Sequence, residues 1–73
     1  MKPEIINSIR EYRTQQGITQ ADLARAVGVS RQSIISIEKG HYVPSLSLAL
    51  KISVFFKCST DVLFQLNREK NNV

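Results

Sequence analysis

Thr19-Gln-Ala-Asp-Leu-Ala-Arg-Ala-Val-Gly-Val-Ser-Arg-Gln-Ser-Ile-Ile-Ser-Ile-Glu-Lys39 is the stretch that decides the fold. Thr19 and Ser30 each precede an apolar run of helical period, as N-caps do, and Thr19-Gln-Ala-Asp22 has capping-box spacing with Asp in place of the usual Glu. Between the two runs only Gly28, Val29 and Ser30 remain, so the chain must reverse sharply. Gly28 takes a positive φ at little cost, Val29 fills the corner with an apolar side chain, and Ala24 is small enough for two backbones to approach. With Leu23, Val27, Ile34 and Ile37 completing the inner face, the pattern predicts two short helices, over 20–27 and 31–39, packed as an αα-hairpin.

Outward from the hairpin, the same punctuation recurs. Gly17 and Gly40 end apolar periodicities, Ser45 and Ser59 open new ones, and Pro44 halts the chain just before Ser45. Further helices are therefore expected over 7–16, 46–56 and 60–66, which makes the chain an all-α, five-helix single domain over 1–73. Ile5, Ile9, Tyr12 and Gln16 share one stripe of the first helix. Leu46, Ala49, Leu50, Ser53 and Phe56 are the expected inward face of the fourth, and Leu63 and Phe64 that of the fifth. Two readings of the start stay open: Pro3 opens the first helix early, or Lys2–Ile6 is extended. Residues 67–73 are polar and are expected to fray.

Composition removes several classes of function. One cysteine closes no intrachain disulfide, and no set of Cys and His is spaced for zinc, so a reducing cytoplasm is the expected setting. Apolar runs such as Val54-Phe55-Phe56 are far too short to span a membrane, and Met-Lys-Pro-Glu has no signal-peptide core. No nucleophile, base and oxyanion grouping is present, which excludes an enzyme, and no cofactor or small-molecule ligand is expected. Ten Lys and Arg against six Asp and Glu leave a net charge of +4, which favours an anionic partner without naming it. The hairpin names it: a tight αα-hairpin with these corner residues is the helix-turn-helix that lays its second helix in the major groove of double-stranded DNA.

The resemblance to a family is then specific. Gly-Ile-Thr-Gln-Ala-Asp-Leu-Ala (17–24), Gly-Val-Ser-Arg-Gln-Ser-Ile (28–34), Ile-Glu-Lys-Gly (37–40) and Pro-Ser-Leu (44–46) stand in order and at the right separations. From about Asn7 to Phe64 the chain resembles the Xre/Cro/CI family of prokaryotic and phage repressors, with their lambda-repressor-like fold. That resemblance implies that Arg31 and Gln32 read base edges, Arg to guanine O6/N7 and Gln to adenine N6/N7, with Ile35 and Ser36 on the same outward face. Ile35, where relatives tend to be polar, is either a tolerated exposed residue or a contact for a thymine methyl. Gln20, Ser33 and Lys39 match phosphate-side positions, with Thr19 beside them. Arg13 and Glu38 match a partly buried ion pair that sets the angle of the third helix and helps aim Arg13 at phosphate.

Residues left over by these assignments suggest a second surface. Val54, Phe55, Val62 and Leu66 fall outside the expected inward faces, and clustered exposed apolar side chains mark an interface. A twofold homodimer through them would set two third helices one DNA turn apart over a pseudo-palindrome, as a repressor requires. An activator, controller or antitoxin-type regulator on the same fold stays open, as does a protein-interaction adaptor. Cys58 is expected to be a buried, inert thiol, His41 a solvated loop residue, and Lys57 a helix end under some strain.

Overall fold

A computed structural model of the chain describes residues 4–68. Among these residues, five helices are bracketed by a two-stranded ribbon: β1 (Ile5–Asn7), α1 (Ile9–Gln15), α2 (Gln20–Val27), α3 (Arg31–Glu38), α4 (Leu46–Phe56), α5 (Thr60–Leu63) and β2 (Phe64–Leu66). Local signals place the starts of α2, α3 and α4 as the sequence predicts. Thr19 and Asp22 form a reciprocal capping box, with Thr19 Oγ1 accepting from Asp22 N–H and Asp22 Oδ2 from Thr19 N–H. Ser30 and Ser45 cap α3 and α4 by accepting from the N–H groups of Ser33 and Leu48. Gly28 ends α2 at φ 78°, and α4 ends on Lys57 at φ 58°, a left-handed conformation adopted there by a residue other than glycine.

The core sits where these helices meet. Ile9, Leu23, Ile34, Ile37, Ile52 and Leu63, at least one from each helix, have no solvent contact. Tyr12 and Phe55 flank Phe56, with ring centroids at 5.9 and 5.0 Å, and the Tyr12 contact joins α1 to α4.

Several expectations need correction. The chain is mostly helical, not all-α: Ile5, Ile6 and Asn7 pair antiparallel with Leu66, Gln65 and Phe64. The bonds from Ser8 N–H to the Leu63 carbonyl and from Asn67 N–H to the Glu4 carbonyl extend that pairing at both ends. The extended reading of the start is therefore the one observed over 5–6, while Met1–Pro3 lie outside the described residues, as do 69–73 of the expected frayed tail. The first helix begins at Ile9, not residue 7, because Asn7 belongs to β1. The fifth stops at Leu63, not residue 66, because Phe64 turns extended (φ −123°, ψ 134°) to meet β1.

The phase of α4 also differs. Leu48, Ala49, Ile52, Ser53 and Phe56 face the core, while Leu46 and Leu50 are exposed, Leu46 at 72%. Both stripes have helical period, and a helix apolar nearly all round leaves its phase to be set by tertiary packing. Buried Ser53 fits because its hydroxyl donates to the Ala49 carbonyl at 2.9 Å. Phe55, expected on the outer surface, is half-buried against Phe56, and Phe64 and Cys58 are likewise half-buried, not buried. Among the described residues no helix is long and apolar enough to cross a membrane.

Candidate nucleic-acid interface

The αα-hairpin leaves one long edge of α3 outside the core. Ile34 and Ile37 are fully buried, so the helical rotation turns Arg31 and Gln32 outward, with Ile35 and Ser36 one turn behind each. The outward face is thus two short ridges, Arg31–Ile35 and Gln32–Ser36. The side chains of Arg31 and Gln32 are exposed and take no partner among the described residues. Ile35 and Ser36 are half-buried.

An open groove of about 640 Å³ runs beside the first ridge, between α1, the start of α2, and α3. Arg13, Thr19, Gln20, Arg31, Ile35 and Lys39 all line it, so six of the nine nominated residues come together on one concave surface. Arg10 lines it too. Sequence reasoning passed over Arg10, although it lies one turn before Arg13 and so on the same side of α1. Four cationic side chains and one carboxylate, Glu38, line the groove, which gives it a positive field. Thr19, Gln20 and Ala21, at the start of α2, border it, so the positive end of that helix dipole lies beside the groove. Gln32, Ser33 and Ser36 lie outside its lining. Ser33 is partly committed within the protein, its Oγ 3.0 Å from Ser30 Oγ and its N–H on the same oxygen.

Glu38 explains how α3 keeps its place against α1 and α2. Arg13 Nε donates to Glu38 Oε2 at 2.8 Å and Arg13 Nη2 to Oε1 at 3.2 Å, a two-pronged pair whose side chains are 12% and 7% exposed. Arg13 Nη1 donates to the Ile18 carbonyl at 3.1 Å, and Gln20 Nε2 donates to Glu38 Oε1 at 3.3 Å. Three of the five guanidinium N–H groups of Arg13 therefore act inside the protein. Its place is that of a strut between α1 and α3 at the floor of the groove, a less direct position for phosphate than Arg10 or Lys39. Gln20 is tied to the same carboxylate while one side-chain N–H stays available to the groove.

Among the described residues, two groups have shifted titrations. Asp22 is held below its ordinary value of 3.8, first by the Thr19 backbone N–H, then by the Thr19 side chain, with the Arg25 guanidinium adding to both. Burial pushes the Cys58 thiol up, away from the thiolate that a redox sensor needs.

The apolar set nominated for an interface divides. Val54, Val62 and Leu66 are exposed, Val54 at 76% and Leu66 at 57%, whereas Phe55 belongs largely to the core margin.

Comparison with known proteins gives the same picture. The helix-turn-helix family model matches residues 9–63. A helix-turn-helix-type transcriptional regulator of Methanocaldococcus jannaschii is 52% identical over 58 residues, covering 80% of this chain and 88% of that protein. YgzD of Bacillus subtilis, a regulator of the same type, is 46% identical over 63 residues, 86% of this chain and 96% of its own. Among solved structures, the restriction-modification controller protein C.AhdI from Aeromonas hydrophila superposes with a TM-score of 0.69 at 30% identity, covering 74% of this chain and 82% of its own.

Proposed function

The chain belongs to the helix-turn-helix family of Xre/Cro/CI-like transcriptional regulators, and from that premise we propose that it is a sequence-specific repressor that binds a pseudo-palindromic operator as a homodimer. In this reading α3 lies in the major groove of double-stranded DNA. Arg31 and Gln32 hydrogen-bond to base edges, and Ile35 and Ser36 contact bases one turn further along. Thr19, Gln20, Ser33, Lys39 and Arg10 hold the flanking phosphates, and Arg13 acts through Glu38 by fixing the angle of α3. The observation that carries the reading is the positive groove, in which the free guanidinium of Arg31 stands with Arg10, Lys39 and the first residues of α2.

The dimer is supported by the exposed Val54, Val62 and Leu66, since a single module contacts only a half-site. Repression follows from occupancy: a dimer seated over a promoter blocks polymerase. The likeness to a restriction-modification controller favours a second reading, in which the same dimer acts as a controller and its effect depends on where the operator lies relative to the promoter.

Selection of binding duplexes from a randomised pool, followed by sequencing, tests both parts. The expected motif is a pair of inverted half-sites whose centres lie one DNA turn, about 34 Å, apart. A lone half-site refutes the dimer, and recovery of no sequence preference refutes base reading. Mapping the recovered operator against promoter positions separates repressor from activator or controller.

A further inference from the structure

The C-terminal end of α3 is held by two separate polar ties. One is the Glu38 network to Arg13 and Gln20. The other is Asn7, the last residue of β1. Its Nδ2 donates to the Ile37 carbonyl at 2.9 Å, across 30 residues of chain, while its Oδ1 accepts the N–H of Ile9 at 3.2 Å and so caps the start of α1. Ser8, which occupies the N-cap position, makes no such bond.

We propose that Asn7 is a positioning residue for base reading, setting the angle of α3 by tying its last turn to β1 and to the start of α1. This inference rests on the assignment of α3 as the base-reading helix. The Ile37 carbonyl already accepts the Gly40 N–H at 3.0 Å, so the bond from Asn7 is not needed to satisfy a buried acceptor. What it adds is direction. Only a side-chain amide of this length presents a donor to Ile37 and an acceptor to Ile9 at once; a hydroxyl or carboxylate keeps the cap and loses the tie. An eight-residue helix is about 12 Å long, so a tilt of about 5° about its C-terminal end moves Arg31 by about 1 Å. That displacement exceeds the spread of good hydrogen-bond lengths, and a two-pronged contact to guanine loses at least one of its bonds.

The test compares Asn7→Asp, which keeps the acceptor for Ile9 but sets an oxygen against the Ile37 carbonyl, with the neutral Asn7→Ser, which caps but does not reach. Each is titrated against the best duplex recovered by selection and against a random duplex, with thermal unfolding measured in parallel. Both variants are expected to bind the selected duplex about tenfold more weakly while random-duplex affinity changes less than about twofold. Unchanged affinity for the selected duplex in a folded variant overturns the inference, and so does an equal loss on both duplexes. Arg31→Ala, run alongside, separates the two possible failures. If it loses preference and the Asn7 variants do not, positioning fails alone; if it too keeps its preference, the assignment of α3 fails. In the wild type the Asn7 side-chain amide must stay protected from solvent exchange in the DNA complex. Free exchange there overturns the proposal even if neither variant folds.

Discussion

Replacing Glu38 with glutamine removes one charge from the centre of the α1–α2–α3 junction and changes almost nothing in volume. In the wild type, Oε2 accepts from Arg13 Nε, while Oε1 accepts from both Arg13 Nη2 and Gln20 Nε2. In Glu38→Gln one of those oxygens becomes an NH2 group, so a donor faces a donor and the Arg13 guanidinium, only 12% exposed, loses its counter-charge. Stranding one member of a buried pair costs about 3–5 kcal/mol, and the lower end applies at the edge of a groove. A domain of this length has a total stability of roughly 4–11 kcal/mol, so a loss near the lower bound consumes a large part of it. We expect urea unfolding of Glu38→Gln to show a loss of about 3 kcal/mol. Arg13→Met with Glu38→Gln should cost at least about 1 kcal/mol less than the sum of the single changes, because no charge is then left without a partner. A single-variant cost below about 1 kcal/mol, or strict additivity in the double variant, would refute the view that this pair holds α3 in place.

Three further outcomes follow from the same structure. Lys57→Gly relieves a left-handed residue whose N–H and that of Cys58 close the end of α4 on Val54 and Ser53, so it should raise stability by about 1 kcal/mol and the melting temperature by about 5 °C; an unchanged or lower midpoint contradicts it. Asp22→Asn should destabilise at neutral pH, with the gap closing in acid. A carboxyl whose folded value lies below its unfolded 3.8 contributes stability above that value and loses it as pH falls through the lowered one. Thermal melts of both proteins from neutral pH into strong acid check this, and a gap that stays constant sinks it. Val54→Lys with Leu66→Lys alters two well-exposed positions and should shift the sedimenting mass to that of a monomer without lowering helix content; a retained dimer mass refutes the surface.

The hairpin was legible because its signals are local. Caps at Thr19 and Ser30, the glycine at 28 and the apolar corner at Val29 act within three or four residues of chain, and the structure places each as read. The ribbon was not, because three-residue strands have too little length for alternation to register. Ile5 also gains its partner only when the fold brings Leu66 to it from the far end of the chain. The phase of α4 escaped for another reason: Leu46, Leu48, Leu50, Ile52 and Val54 recur at every second residue, so both sides of the helix are apolar and packing on α2 decides which is buried. In the candidate interface, spacing was enough to put Arg31 and Gln32 outward. The Glu38 bond to Gln20 and the Asn7 bond to Ile37 join residues far apart in sequence, and no pattern of types or spacings announces them.

The central claim, that α3 reads bases through Arg31, is tested most directly by the affinity of Arg31→Ala for a selected operator duplex and for random duplex at the same salt concentration. Loss of a two-pronged guanine contact removes about 1–3 kcal/mol of discrimination, so operator binding should weaken about fivefold to more than a hundredfold per half-site while random-duplex binding changes only modestly. Equal weakening on the two duplexes would make Arg31 a phosphate contact and contradict the account.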